Sequence, residues 1–216
     1  MKRARPCCFL FLLLICTILA GCAASVPPKA SGALDDETLD WFETMYFNFN
    51  TIDGSYPCNM QNMMLSSEYA DAQEINLFSL FYNGVIGTPA PVSDEEREAL
   101  TAIVPEAAQQ DVTKITKKQM DAVLRQNTGL TLDETAKLGL DQFLYLDEYD
   151  AYYAVHSDTS IDACTLQSGW RDADGTVHLQ YQFAGHRGTV TLKRTETAYF
   201  FVSNTYTYTY KESGNR

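Results

Sequence analysis

His156-Ser157-Asp158-Thr159 places an imidazole and a carboxylate two residues apart. At the end of a strand such a pair can work as acid and base, or share a metal ion. Asp147, Glu148, Asp150 and Asp162 lie close by in sequence and offer oxygen ligands of the kind Ca²⁺ takes. Asp147, Asp150 and Asp158 are therefore the calcium candidates. The competing reading is turn chemistry, in which Asp and Ser cap loops and acidic side chains solvate hairpin ends. Asp172-Ala173-Asp174-Gly175 begins like a calcium loop but lacks the third Asp or Asn and the distal Glu, so it reads as a type I′ hairpin turn. Cys58, Met60, Met63 and Met64 bring soft Cu(I) ligands within seven residues. Methionine equally fills gaps in cores, and no histidine stands beside these residues. No metal and no cofactor is expected.

Motifs for an activated nucleophile are missing: the chain has no G-x-S-x-G and no H-E-x-x-H. A hydrolase would have to lean on His156 and Asp158. The other histidines, His178 within a strand and His186 in a glycine turn, read as structural or solvent-facing. Thirteen tyrosines make Tyr the commonest aromatic, and Tyr145, Tyr149, Tyr152 and Tyr153 bunch ahead of His156. Such rings can line a carbohydrate or peptide groove, or fill strands by propensity alone.

The elements that position these residues change character midway. Leu34 to Phe49 carries apolar residues at helical spacing, with Asp35, Asp36 and Glu37 in the first turn. Asn50 to Asn59 is a turn-rich loop, and Glu68 to Phe81 is either a short helix pair or an extended edge. Three capping boxes (Ser93 with Glu96, Thr116 with Gln119, Thr131 with Glu134) predict helices at about 94–104, 117–127 and 132–138. From Phe143 the period becomes two, which predicts strands at 144–146, 151–156, 163–169, 176–183, 189–195 and 199–203. Turns at Asp172–Gly175 and Ala184–Gly188 join them. The fold class is α+β, with an N-terminal helical half packed on a C-terminal antiparallel meander of about five or six strands.

Lys2, Arg3 and Arg5 precede an uncharged run from Phe9 to Ala20. Its twelve residues suit a signal peptide and fall short of a membrane span, which needs about 20. Leu19-Ala20-Gly21-Cys22 then looks like the lipobox of a bacterial lipoprotein. The resemblance implies cleavage before Cys22, a diacylglyceryl thioether on its sulfur, and a mature chain outside the cytoplasm. An A-x-A cut after Cys22-Ala23-Ala24 fits less well. Two acyl chains hold a protein stably, each buried methylene adding roughly 0.8 kcal/mol. The domain scheme is a signal peptide over 1–21, a tether over 22–33, one domain over 34–210 and a tail over 211–216.

Loss of the three N-terminal basic residues leaves 13 Lys and Arg against 28 Asp and Glu, a net charge of −15. That balance argues against nucleic acid and against lying flat on an anionic membrane, and the exported address excludes a DNA role. Cys58 and Cys164 are the remaining pair after Cys22, and an oxidising compartment admits a bridge between them. Such a bridge closes a loop of about a hundred residues, which contributes roughly 4–5 kcal/mol in the chain-entropy account. Two free buried thiols are the alternative.

Met64-Leu65-Ser66-Ser67-Glu68-Tyr69, Ile75-Asn76-Leu77, Phe81-Tyr82-Asn83-Gly84 and Tyr152-Tyr153 before His156 are similar to a pattern in uncharacterised lipoproteins of anaerobic Gram-positive gut bacteria. The resemblance implies address and domain extent only. The expected function is a lipid-anchored binding or interaction module for a peptide, glycan or protein partner. The alternative is an envelope-acting hydrolase using His156 and Asp158.

Overall fold

The computed structural model describes residues 31–49, 59–156 and 162–208. Its strands form two antiparallel sheets. The larger holds β1 (Gly32–Ala33), β5 (Thr165–Arg171), β6 (Val177–Phe183), β7 (His186–Arg194) and β8 (Tyr199–Tyr208), in the order β1-β5-β6-β7-β8. The smaller holds β2 (Asp111–Thr116), β3 (Leu144–Leu146) and β4 (Ala151–His156), in the order β2-β4-β3. The chain is thus α+β with a β-meander. The strands at 144–146 and 151–156 do not continue that meander. They form a second sheet in which β4 lies between β3 and β2, and periodicity in the first half does not announce β2.

Alternation sorts the large sheet into two faces. Val177, Leu179, Tyr181 and Phe183 of β6, with Val190 and Leu192 of β7 and Phe201 of β8, are buried. His178, Gln180, Gln182, Arg187, Thr189 and Lys193 point the other way, half-buried or exposed. The β6–β7 turn is Ala184-Gly185, with φ of 45° and 78°, the pair of positive values a type I′ turn requires. His186 accordingly lies inside β7 at 4% exposure rather than in a turn. The β5–β6 turn is not type I′: the Gly175 N–H donates to Asp172 O and only Gly175 has positive φ. That is a type I turn closed by a left-handed glycine.

Five α-helices accompany the sheets among the described residues: α1 (Asp36–Trp41), α2 (Met60–Met63), α3 (Leu77–Phe81), α4 (Asp94–Ile103) and α5 (Lys117–Thr128). Asp35 caps α1 by accepting the Thr38 N–H at 2.8 Å. The helix runs on as a π-helix over Phe42–Phe47. Its wider turn keeps both Phe42 and Phe47 buried while Tyr46 stacks on Phe201, 6.1 Å between centroids. It also aims Glu43 and Asn48 at β5, whose neighbour β1 pairs only with Trp170 and Arg171. Beyond β1, Glu43 Oε2 accepts the Leu166 N–H at 2.6 Å, and Asn48 bonds both the N–H and the carbonyl of Cys164. Side chains thereby occupy an edge that a strand would otherwise need to cover.

The reciprocal capping boxes form at Ser93 and Thr116, and α4 and α5 follow them. Thr131 and Glu134 pair as well, but only a 3₁₀ turn over Leu132–Glu134 results, in place of the helix expected to 138. The Ala136 N–H goes to Gln73 O and the Leu138 carbonyl accepts the Leu77 N–H, so tertiary bonds take the groups a helix would use. Glu68 to Phe81 resolves into a 3₁₀ turn over Ala72–Glu74 and α3.

The main core joins Phe42, Leu65, Leu80, Met120 and Leu124 to the inner face of the large sheet. Met60, Met63 and Met64 pack into it as apolar filling. A smaller core gathers Leu100, Ala107, Ala151 and Tyr153 between α4 and the three-stranded sheet. Glu96 is buried there at 2% exposure. It accepts the Tyr153 hydroxyl at 2.6 Å and the Ser93 N–H at 2.7 Å, and pairs with the Lys114 ammonium. Burial pushes its carboxyl up, but these three donors outweigh it and hold the group below the usual carboxylate range.

Candidate functional site

His156 closes β4, and its Nε2 lies 2.7 Å from Thr113 Oγ1 on the neighbouring strand. Its ring sits 4.8 Å from that of Tyr82. Ser157, Asp158 and Thr159 lie outside the described residues, as do Cys22 and Cys58. Asp147 opens a 3₁₀ turn that Asp150 closes, and Asp150 adopts a left-handed φ of 44°. Its Oδ1 accepts the Tyr145 hydroxyl at 2.6 Å and faces Lys117 Nζ at 3.2 Å. The hydroxyl first and the ammonium second hold this carboxyl below its ordinary value. Among the described residues no group of three or more His, Cys, Asp or Glu side chains is placed to hold a metal.

The tyrosines before His156 do not share a groove. Tyr153 points into the small core, whereas Tyr152 faces the opposite side of β4 against Phe143 and Tyr145. Tyr149 belongs to the 3₁₀ turn. A period of two separates neighbouring residues on one strand however alike they are.

The surface that gathers polar and aromatic groups is the open face of the large sheet. Trp170 on β5 stacks on His178 of β6 at 4.6 Å between centroids, with 12° between the ring planes. His178 Nε2 lies 2.8 Å from Asp172 Oδ2, and Nδ1 lies 3.2 Å from Thr191 Oγ1. A carboxylate only accepts, so Nε2 carries the proton, and in the neutral ring Nδ1 accepts from the Thr191 hydroxyl. The imidazole is held flat beneath Trp170, which remains 38% exposed.

Along the same face, the Ser168 hydroxyl donates to Gln180 Oε1 at 2.5 Å. Beyond it lies a shallow groove of about 440 Å³, lined in part by Glu68, Gln180, Arg187, Thr189, Thr205 and Thr207. Its floor depends on Gly188, where a Cβ would lie 2.6 Å from Tyr181 Cζ and 2.7 Å from Thr205 O. That space lets the Tyr181 hydroxyl reach Asn204 Oδ1 at 2.7 Å. Asn204, fully buried, donates in turn to Ser67 O, and its backbone exchanges two hydrogen bonds with Tyr69.

Charge marks this sheet out. Strands β5 to β8 contain Arg171, Arg187, Lys193 and Arg194 and no Asp or Glu, in a chain with 28 acidic residues; Arg187 and Lys193 are exposed on the open face, whereas Arg171 is buried. Total charge hides this; charge counted strand by strand reveals it. Trp170 and Arg187 escape motif reading because each occupies an outward position in an ordinary alternating strand.

Cys164, 1% exposed, is a free thiol in the structure, and burial raises its pKa far above the ordinary thiol value. No helix among the described residues is long and apolar enough to cross a membrane. No protein family, curated protein or solved structure matches the chain.

Proposed function

We propose that this chain is a lipid-anchored extracytoplasmic binding module, tethered through Cys22 to the outer face of the cell membrane. In this reading the helical N-terminal half backs the meander, and the open face of the five-stranded sheet meets the partner. The observation that carries it is the carboxylate-free composition of β5 to β8 beside the exposed Trp170. Clustered exposed aromatic and cationic groups are the usual marks of recognition surfaces. The order of Lys2 to Arg5, the apolar run and Leu19-Ala20-Gly21-Cys22 supports the anchor.

Metabolic labelling with an alkyne fatty acid tests the anchor. The wild-type chain takes the label and sediments with membranes; Cys22→Ser takes none and appears in the soluble fraction. Label that persists on Cys22→Ser overturns the reading.

A further inference from the structure

We infer that the open face of the five-stranded sheet binds an anionic polysaccharide, with Trp170 as the stacking platform and Arg187 as the cation that meets the acid group. This rests on the reading of that face as the partner-facing surface. The apolar side of a pyranose packs on an exposed aromatic ring, and amide and hydroxyl side chains serve its hydroxyl groups. The face supplies both in sequence. Trp170 is presented by His178, which Asp172 and Thr191 hold in place. Gln180, Thr189 and Thr205 line the groove that continues from it.

Charge selects the acid-bearing sugar over the neutral one. Arg187 is exposed in the groove and makes no ion pair among the described residues, so its guanidinium is available for bidentate contact with a carboxylate or phosphate. Glu68, also at the groove, is left to accept hydroxyl hydrogens. Arg187 and Lys193 are the cations this face presents, against the carboxylates of Asp172, which holds His178, and Glu68, while the rest of the acidic chain repels a polyanion. A bilayer fits this face less well. Trp170 and Val202 are its strands' only exposed large apolar side chains among the described residues, and insertion needs a cluster.

The full chain in detergent is run in affinity gels containing polygalacturonate, dextran or poly-glutamate, and its Cys22→Ser variant, which lacks the proposed anchor, is floated with phosphatidylglycerol vesicles. Polygalacturonate retards it, while dextran and poly-glutamate do not. Trp170→Ala and Arg187→Gln each weaken the retardation about tenfold with an unchanged melting temperature; Arg187→Gln, at an exposed position, guards against a folding defect at Trp170. Four results overturn the proposal: no retardation by polygalacturonate, retardation of both variants equal to that of the wild type, equal retardation by poly-glutamate, or flotation of Cys22→Ser with vesicles without glycan binding. Fatty-acid label on the same preparation separates the outcomes. Labelled protein that ignores polygalacturonate removes the glycan and leaves the anchor; unlabelled protein that is retarded does the reverse.

Discussion

Glu96 and Tyr153 meet inside the smaller core, hydroxyl to carboxylate at 2.6 Å, with the Lys114 ammonium on the same oxygen. The pair joins α4 to β4 and the ammonium adds β2. Removing the carboxylate strands the ammonium in a site where it is only 17% exposed. Glu96→Ala is expected to lower the unfolding free energy by about 3 kcal/mol, as for a buried pair broken on one side. Urea unfolding at pH 7 checks it.

The same carboxyl gives a pH dependence. Its folded pKa lies below the ordinary carboxylate value, so its contribution is complete above that ordinary value and is lost as pH falls through the folded one. Stability curves of the wild type and Glu96→Gln should therefore be separated at neutral pH and converge as pH falls through the lowered folded value. Parallel curves across that window would show that Glu96 gains nothing from its charge.

Asn48 stands in for a strand at the edge of β5, accepting from the Cys164 N–H at 2.8 Å and donating to its carbonyl at 2.6 Å. Asn48→Ala leaves both backbone groups without that partner. The expected cost is about 2 kcal/mol, a fall in melting temperature of about 4–8 °C for a domain of this size. Asn48→Asp keeps the acceptor but sets a carboxylate oxygen against the Cys164 carbonyl, and should lose at least as much as Asn48→Ala in calorimetry.

Much of this architecture is legible in local sequence, and what escapes is set by distant partners. Ser93 with Glu96 and Thr116 with Gln119 satisfy their own helix ends, so α4 and α5 can be read without knowing the rest of the chain. Thr131 with Glu134 carries the same signature, yet Gln73 and Leu77 claim the backbone beyond it. β2 is six residues, Asp-Val-Thr-Lys-Ile-Thr, held by β4 some forty positions on. Nothing local marks it, and its Lys114 has a reason only once Glu96 is placed. The tyrosines of β4 show the opposite failure: adjacency suggested one surface, and the pleat divided them. Trp170 with His178 is a cross-strand pair, and register, not spacing, creates it.

Cys164 offers a chemical check on the core. Its thiol is buried, so native protein at neutral pH should resist iodoacetamide, and unfolding in guanidinium without reductant should expose it to full labelling. Peptide mass spectrometry reads the site directly. Labelling in guanidinium only after reduction would instead mean that Cys164 is bridged, and Cys58 would be the partner to test by Cys58→Ser.

Gly188 is the most constrained point on the groove. A methyl group there meets the Tyr181 ring at 2.6 Å and the Thr205 carbonyl at 2.7 Å. The ring can swing only by giving up Asn204, and Thr205 O is backbone of the paired strand. Gly188→Ala should therefore cost about 3 kcal/mol, the upper part of the range for overpacking. Tyr181→Phe separates the two parts of the argument, because it removes the hydroxyl bond and leaves the ring in place. It should cost about 1 kcal/mol, and the double variant Gly188→Ala with Tyr181→Leu should regain part of the loss by clearing the ring. Thermal unfolding of the three variants, with hydrogen exchange at the β7–β8 amides, measures this. If Gly188→Ala melts with the wild type, β8 is free to shift, and Asn204 does not fix it against Ser67 and Tyr69.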